Sequence, residues 1–293
     1  MGRNIHMTSN RISVFGSSGF IGSRFCELYP EDVIRIDRND YTPKSSNVLY
    51  LISTVDNYNV HNDIHIDIDT NLTILMNVLD NIKKQSFSIP PVITYISSWF
   101  TYGQNHEIPF REDFSQCNPT GFYSITKRCA EQLLICWCQT FGFKYRIFRL
   151  ANVLGEGDKK ISKKKNALQY LIKEIVNDRD VELYYGGDVL RDYIYVDDVC
   201  EAMKLCMDKA PVNQIYNIGS GVPSRFLDII NEAIEVAQSK SKIIHIQPSQ
   251  FHNIVQVRHS YLDTTKITNL GFQIKHPIQD VVKKLVKFYQ NEI

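Results

Sequence analysis

The sequence predicts an α/β protein: a doubly wound parallel sheet with a smaller C-terminal unit interleaved with it. Three observations predict this. Short apolar runs at residues 12–15, 33–36, 48–52, 92–96 and 145–150 alternate with helix-like stretches, the pattern of parallel strands covered by helices on both faces. The first of these runs opens directly into a glycine turn and then a helix. Finally, the chain has 293 residues, 43% hydrophobic and 22% charged, enough for a buried core and a second small unit.

Taken in order, the first strand leads into GSSGFIG, with glycines at 16, 19 and 22, and a helix over 20–29. Strand, glycine turn and helix in that order is the context of a Rossmann-type dinucleotide fingerprint. The glycines permit a tight turn and let a pyrophosphate approach the helix N-terminus. Gly16, Ser18, Gly19, Phe20, Ile21 and Gly22 are therefore the candidate cofactor turn. The second strand ends in Asp37, where a carboxylate can accept ribose hydroxyls and repel a 2′-phosphate. That favours NAD over NADP, although Arg38 beside it pulls the other way.

A helix is expected over 71–82, and the fourth apolar run ends near Ser98. The next helix, 123–141, begins with Tyr123 and Lys127 in Y-S-I-T-K. Four residues is about one turn, so phenol and ammonium share a face. A fixed cation within about 4–6 Å favours the phenolate, and such a Tyr can serve as acid and base near neutrality. Apolar residues Ile125, Ala130, Leu133, Leu134, Trp137 and Phe141 extend more than halfway round this helix. It therefore has a second face to bury, and a partner subunit in a homodimer is the expected cover. Beyond 150, helices are expected at 167–177, 199–209, 225–237 and 278–291, with strands at 181–185 and 215–219.

Composition excludes several function classes. With 33 basic against 32 acidic residues the formal net charge is +1, so nothing points to nucleic acid or an anionic membrane. The lysines of 159–165 read as a solvated loop. Seven cysteines lack ligand-like or disulfide-framework spacing, which predicts no metal site and reduced thiols in a cytoplasmic protein. No apolar run approaches the ~18 residues of a membrane helix, and residues 1–6 are polar and patternless and are left out of fold reasoning.

The chain resembles the extended short-chain dehydrogenase/reductases, specifically the NAD-dependent nucleotide-sugar epimerases and dehydratases. The segments that carry the resemblance are VFGSSGFIGS, TYISSWFTYG, FYSITK, FRLANVLGEGD, RDYIYVDDV, YNIGSG and VRHSYLDTTK, in that order. It implies NAD as cofactor and a nucleoside-diphosphate sugar as substrate. It implies that Ser98 hydrogen-bonds the sugar oxygen under attack and that Tyr123 donates and accepts the proton. Lys127 would hold the nicotinamide ribose and keep the phenol acidic. By the same resemblance Asn152, Arg191 and Arg258 contact the diphosphate. The implied organisation is a dinucleotide-binding part at 8–155, to which 190–220 returns, and a substrate part at 156–189 and 221–293.

The chain departs from the family pattern in places. Only ten residues, 38–47, separate Asp37 from the third strand, where the family inserts a helix and a strand with an acidic contact to the adenine. In the order 3-2-1-4-5-6 that strand is outermost, so its loss leaves the centre intact. The family's His-Leu-Ala-Ala turn is Tyr50-Leu-Ile-Ser53 here, and its Arg-x-Gly-Asp is replaced at His252-Asn253-Ile254. Trp99 and Phe100 stand where the 4,6-dehydratases carry two acids, and two aromatics cannot supply acid and base for water removal. The first expectation is thus a C4 epimerase of a nucleoside-diphosphate hexose. A reductase of 4-keto-6-deoxy nucleotide sugars using NADH or NADPH is the alternative within the class. A non-catalytic cofactor-binding or RNA-binding scaffold is the alternative outside it.

Overall fold

A computed structural model describes residues 11–104, 107–113, 115–159 and 161–292. The polar stretch at 1–6, the first residues of the expected dinucleotide-binding part and Lys160 lie outside them.

Strands β1 (Ile12–Phe15), β2 (Val33–Arg35), β3 (Asn47–Tyr50), β4 (Val92–Ser98), β5 (Lys144–Leu150) and, later in the chain, Gln214–Ile218 form one six-stranded sheet. Its order runs from Gln214–Ile218 through β5, β4, β3 and β1 to β2, and every pairing is parallel. A parallel sheet is covered on both faces, and the side chains divide accordingly. Ile12, Val14, Leu49, Phe148 and Leu150 enter one apolar layer. Phe15, Val48, Tyr50, Ile93, Tyr95 and Ile147 enter the other. Helix α1 (Phe20–Leu28) lies on the first face, and α3 (Ile74–Lys84) and α4 (Phe122–Phe141) lie on the second.

The glycine turn is dictated by space as well as conformation. Gly16 has φ +80, and a Cβ on Gly22 would stand 2.2 Å from the Gly16 carbonyl oxygen. Only glycine lets α1 start this close to the end of β1. The helix expected at 71–82 begins earlier than its periodicity suggests. It starts as α2 (Ile66–Ile68), passes through a π-helical turn at Asp69–Thr73, and continues as α3. The alternating run IDIDTNLT carries no 3.6-residue stripe, because the π turn inserts an extra residue and resets the face that points inward.

The missing edge strand is absent among the described residues, and β2 is the outer strand. Residues 38–46 instead form a pinned turn: the Asp40 N–H donates to the Asp37 carbonyl (3.0 Å), Lys44 pairs with Asp40 (2.9 Å), and the hydroxyls of Ser13 and Ser45 meet at 2.8 Å.

The rest of the chain crosses and returns. β6 (Asn152–Leu154) pairs with β9 (Tyr193–Tyr195), β7 (Val181–Tyr184) with β12 (Ile243–Ile246), and β8 (Leu190–Arg191) with β11 (Ser224–Arg225). Here β10 is the sheet strand Gln214–Ile218. Helices α5 (Ala167–Val176), α7 (Phe226–Ala237) and α10 (Ile278–Gln290) pack on one another, and α6 (Val196–Lys209) packs on α1. Two short helices, α8 (Gln250–Val255) and α9 (Thr265–Asn269), complete the chain. The sequence places the principal elements to within a few residues. It does not anticipate β6, β8, β9, β11 and β12, whose pairing is entirely long-range.

Gly22→Ala should force the turn open, because the obstructing atom is backbone. We expect a loss of about 1–3 kcal/mol, the usual cost of overpacking, seen as a lower thermal midpoint together with weaker dinucleotide binding.

Candidate active site

One cavity of about 1530 Å³ runs along the C-terminal ends of the strands, where ligands bind in open α/β sheets. Gly16–Gly22 and Asp37 line one end, Ser98, Tyr123 and Lys127 the middle, and Arg191, Arg258 and Tyr185 the other end. The expected site residues therefore converge.

Tyr123 and Lys127 are set by the start of α4. The Gly121 N–H donates to Ser124 Oγ (3.0 Å), which donates to the Gly121 carbonyl (2.9 Å), fixing the first turn over the end of β4. Tyr123 is 8% exposed and Lys127 1%. Lys127 Nζ donates to the Ile96 carbonyl and sits 4.3 Å from the Tyr95 ring centre. Burial pushes its pKa down to about 7, against the pull of Glu131. Burial also pushes the Tyr123 phenol up to about 12; hydrogen bonds with Ser98 and Ser53 act downward, and the Asp67 charge acts upward. The expected acidification of the phenol by Lys127 is thus not what the protein alone provides. The ammonium is turned to a carbonyl and a ring, and desolvation is the larger effect on both groups.

Ser98 ends β4 and begins a short 3₁₀ turn, Trp99–Tyr102, with its Oγ accepting from the Phe100 N–H (3.3 Å). Trp99 stacks on Phe100 with centroids 3.9 Å apart, and Phe100 meets the Tyr123 ring edge-on at 6.1 Å. The two aromatics that replace acids therefore build the wall beside the phenol.

The expected diphosphate contacts divide. Asn152 lines the cavity, but its amide is engaged on both sides: Oδ1 accepts from Trp99 Nε1 (3.3 Å), and Nδ2 donates to the Asp192 carbonyl (2.9 Å). It orients Trp99. Arg191 donates to the carbonyls of Val257 and Arg258, both at 2.7 Å, and no carboxylate pairs with it among the described residues. Burial lowers its pKa. Arg258 is exposed at the rim, 5.3 Å from the Tyr185 ring. The lysine loop borders the same cavity, with Lys163 paired to Glu182 (3.0 Å) and Lys165 to Asp158 (2.9 Å).

Three residues near the phenol escape a reading of the sequence alone. Asn71, on the π turn, accepts from the Thr54 N–H (2.9 Å) and Ser53 Oγ (3.1 Å) and donates to Thr126 Oγ1 (2.9 Å). Asp67, buried, accepts from Thr54 Oγ1. Ser53 is visible in the sequence only as a departure from the family's turn.

The turn also fits a dinucleotide by its own geometry. Gly22 has no space for a side chain, the first N–H groups of α1 have no partner within the helix, and exposed Asp37 opens on the same cavity. Fold and site together define a dinucleotide-dependent enzyme. The chain belongs to the NAD dependent epimerase/dehydratase family, whose profile matches residues 48–219. Its cofactor is NAD, and the match begins just past the shortened connection. A protein of Methanocaldococcus jannaschii called a putative UDP-glucose 4-epimerase is 25% identical, over 96% of this chain and 98% of its own. The fold is shared with a UDP-glucose 4-epimerase of Thermotoga maritima solved with UDP-glucose, at TM-score 0.84, 23% identity and coverage of 96% and 99%. It is shared too with a UDP-glucuronic acid 4-epimerase of Bacillus cereus, at TM-score 0.82, 18% identity and coverage of 97% and 100%. Among the described residues no helix is long and apolar enough to cross a membrane.

Lys127→Met should raise stability while removing function. The folded-state pKa near 7 lies below the ordinary value of 10.5. Unfolded chains therefore bind more protons between those values, and wild-type stability climbs with pH across that window. Below about pH 7 the folded protein bears the buried ammonium at full cost. The variant's gain in thermal midpoint, several degrees, should be larger at pH 6.5 than at pH 9.5.

Proposed function

We propose that this protein is a C4 epimerase of a nucleoside-diphosphate hexose. The observation that carries the reading is one cavity that joins a glycine turn, a Ser98–Tyr123 pair and, at its far end, two arginines without acidic partners among the described residues. A guanidinium suits a diphosphate. Gly16, Ser18, Gly19, Phe20, Ile21, Gly22 and Asp37 would hold NAD with Lys127, and Arg191 and Arg258 the substrate diphosphate, with Asn152 acting through Trp99. The substrate would lie between the dinucleotide-binding part and the unit formed by 156–189 and 221–293.

In this reading Ser98 Oγ hydrogen-bonds the C4 oxygen, and Tyr123 Oη takes the hydroxyl proton and returns it to the opposite epimer. NAD, when bound, would supply a reversible hydride acceptor at C4 and a positive ring that favours the phenolate. Burial keeps the phenol protonated otherwise, so the base would form only beside added positive charge. The stacked Trp99–Phe100 pair excludes water from this wall and leaves no carboxylate for dehydration. Glu131 is buried behind the sheet on Ser97, Arg128 and Arg149.

The test is incubation with UDP-hexoses: the 4-hydroxyl should invert without net consumption of added cofactor. Stoichiometric oxidation of added NADH or NADPH with a 4-keto-6-deoxy nucleotide sugar as acceptor would instead establish the keto-sugar reductase, to which Arg38 beside Asp37 is suited. Tyr123→Phe should retain NAD binding and lose about 10²–10⁴ in turnover, the usual contribution of a general acid/base; normal turnover in this variant would remove the assigned role.

We also infer a homodimer. Phe122, Ile125, Leu133 and Phe141 form an exposed apolar stripe on α4, and Ile66 and Ile68 are exposed on α2. A stripe of that kind marks an interaction surface. Light scattering at micromolar concentration should give twice the chain mass, and Leu133→Glu should give a monomer. All seven cysteines are unpaired, which suits a reducing, cytoplasmic setting.

A further inference from the structure

The cavity is also lined by a group of side chains about the C-terminal ends of β2 and β3, which together form a slot beside Asp37. Its walls come from elements far apart in the chain: Tyr41 from the shortened connection, Ile52 after β3, and Ile74 from the first turn of α3. Asn39 and Thr70 bring polar groups to its edge. We propose that this slot takes the adenine of NAD and that Tyr41 is its stacking surface, an inference that rests on the cofactor assignment.

Position argues for it first. A pyrophosphate on the glycine turn and a ribose on the carboxylate that ends β2 leave the base to lie past Asp37, at the end opposite the nicotinamide. Tyr41, from the connection that follows Asp37, lines the cavity there. Chemistry argues for it second. A purine offers two apolar faces and a polar edge, and an aromatic ring with two isoleucines and polar groups at the margin complements it.

The third argument is rigidity. Tyr41 is half-buried and packs on the apolar layer that contains Ile36 and Tyr50, so one side of it is supported by core. Its backbone is held on both sides. The Thr42 N–H donates to Asp40 Oδ1 (2.8 Å), Lys44 pairs with Asp40 (2.9 Å), and the Lys44 N–H donates to Ser13 Oγ (2.9 Å). Ser13 and Ser45, which anchor the turn to β1, are fully buried. A ring presented by a pinned turn loses little freedom when a base stacks on it. The ten-residue connection thus supplies a base platform from a loop, with no strand at that edge.

The test measures binding to the full chain after exchange of any bound nucleotide, with ADP-ribose, NAD and nicotinamide mononucleotide as probes. Tyr41→Ala should weaken ADP-ribose and NAD by about 5- to 150-fold, the range measured for removal of a base-stacking aromatic. Nicotinamide mononucleotide should bind within about twofold of wild type, and Tyr41→Phe should restore ADP-ribose affinity. Should the alanine variant fail to fold, Tyr41→Leu, which keeps bulk against the core, carries the same expectation at the lower end of that range. Unchanged ADP-ribose affinity in these variants overturns the assignment, as does equal weakening of the mononucleotide, which would mean general collapse of the cavity. A wild-type chain that binds neither ADP-ribose nor NAD would fail the cofactor reading itself, a separate outcome.

Discussion

The buried ion pair between Glu131 and Arg149 is the interaction on which the site depends. Glu131 is 0% exposed and Arg149 1%. The guanidinium donates to both carboxylate oxygens, at 3.0 and 2.7 Å, and Ser97 Oγ adds a third bond at 2.6 Å. Burial would push the Glu131 carboxyl up, but Arg149, Ser97 and Arg128 hold it below the usual range. Removing one partner of such a pair leaves an uncompensated buried charge, at a cost of about 3–5 kcal/mol. The pair ties α4 to neighbouring β4 and β5, where Ser97 and Arg149 are register partners. Tyr123, Lys127 and Glu131 follow at four-residue steps on one face of α4. Holding Glu131 to the sheet therefore sets where the ammonium and the phenol stand.

The same burial that fixes these groups sets their chemistry. Lys127 and Tyr123 are both driven toward their neutral forms, so neither ion is maintained by the protein alone. In the proposed reaction, positive charge brought into the cavity would favour the phenolate and so confine proton transfer to the loaded state. The polar network of Ser53, Thr54, Asp67, Asn71 and Thr126 lies beneath the phenol. It is presented by a π turn, a local irregularity common at functional sites.

The two ends of the cavity are built by different means. At the dinucleotide end, backbone and glycine do the work, since any Cβ on Gly22 would collide with the turn. At the far end the determinants are side chains. Arg191 is held by carbonyls rather than by acids, so its positive charge remains directed at the cavity. Trp99, anchored by Asn152, stands 5.7 Å from that guanidinium.

Features carried by a few adjacent residues were legible in the sequence. The alternation of strands and helices, the strand–glycine–helix turn, the Tyr123–Lys127 spacing and the loss of one edge strand are local or periodic, and the chain's own geometry enforces them. The π turn was not legible, because an inserted residue breaks the periodicity that reveals a helix. The direction of the phenol's pKa, the engagement of Asn152, the bonding of Arg191 to backbone carbonyls and the placement of Tyr41 on the cavity wall were decided only by the tertiary structure. Each depends on burial and on partners distant in the chain, such as Arg191 with Val257 or Asn152 with Trp99, and desolvation belongs to the assembled site rather than to any segment of it.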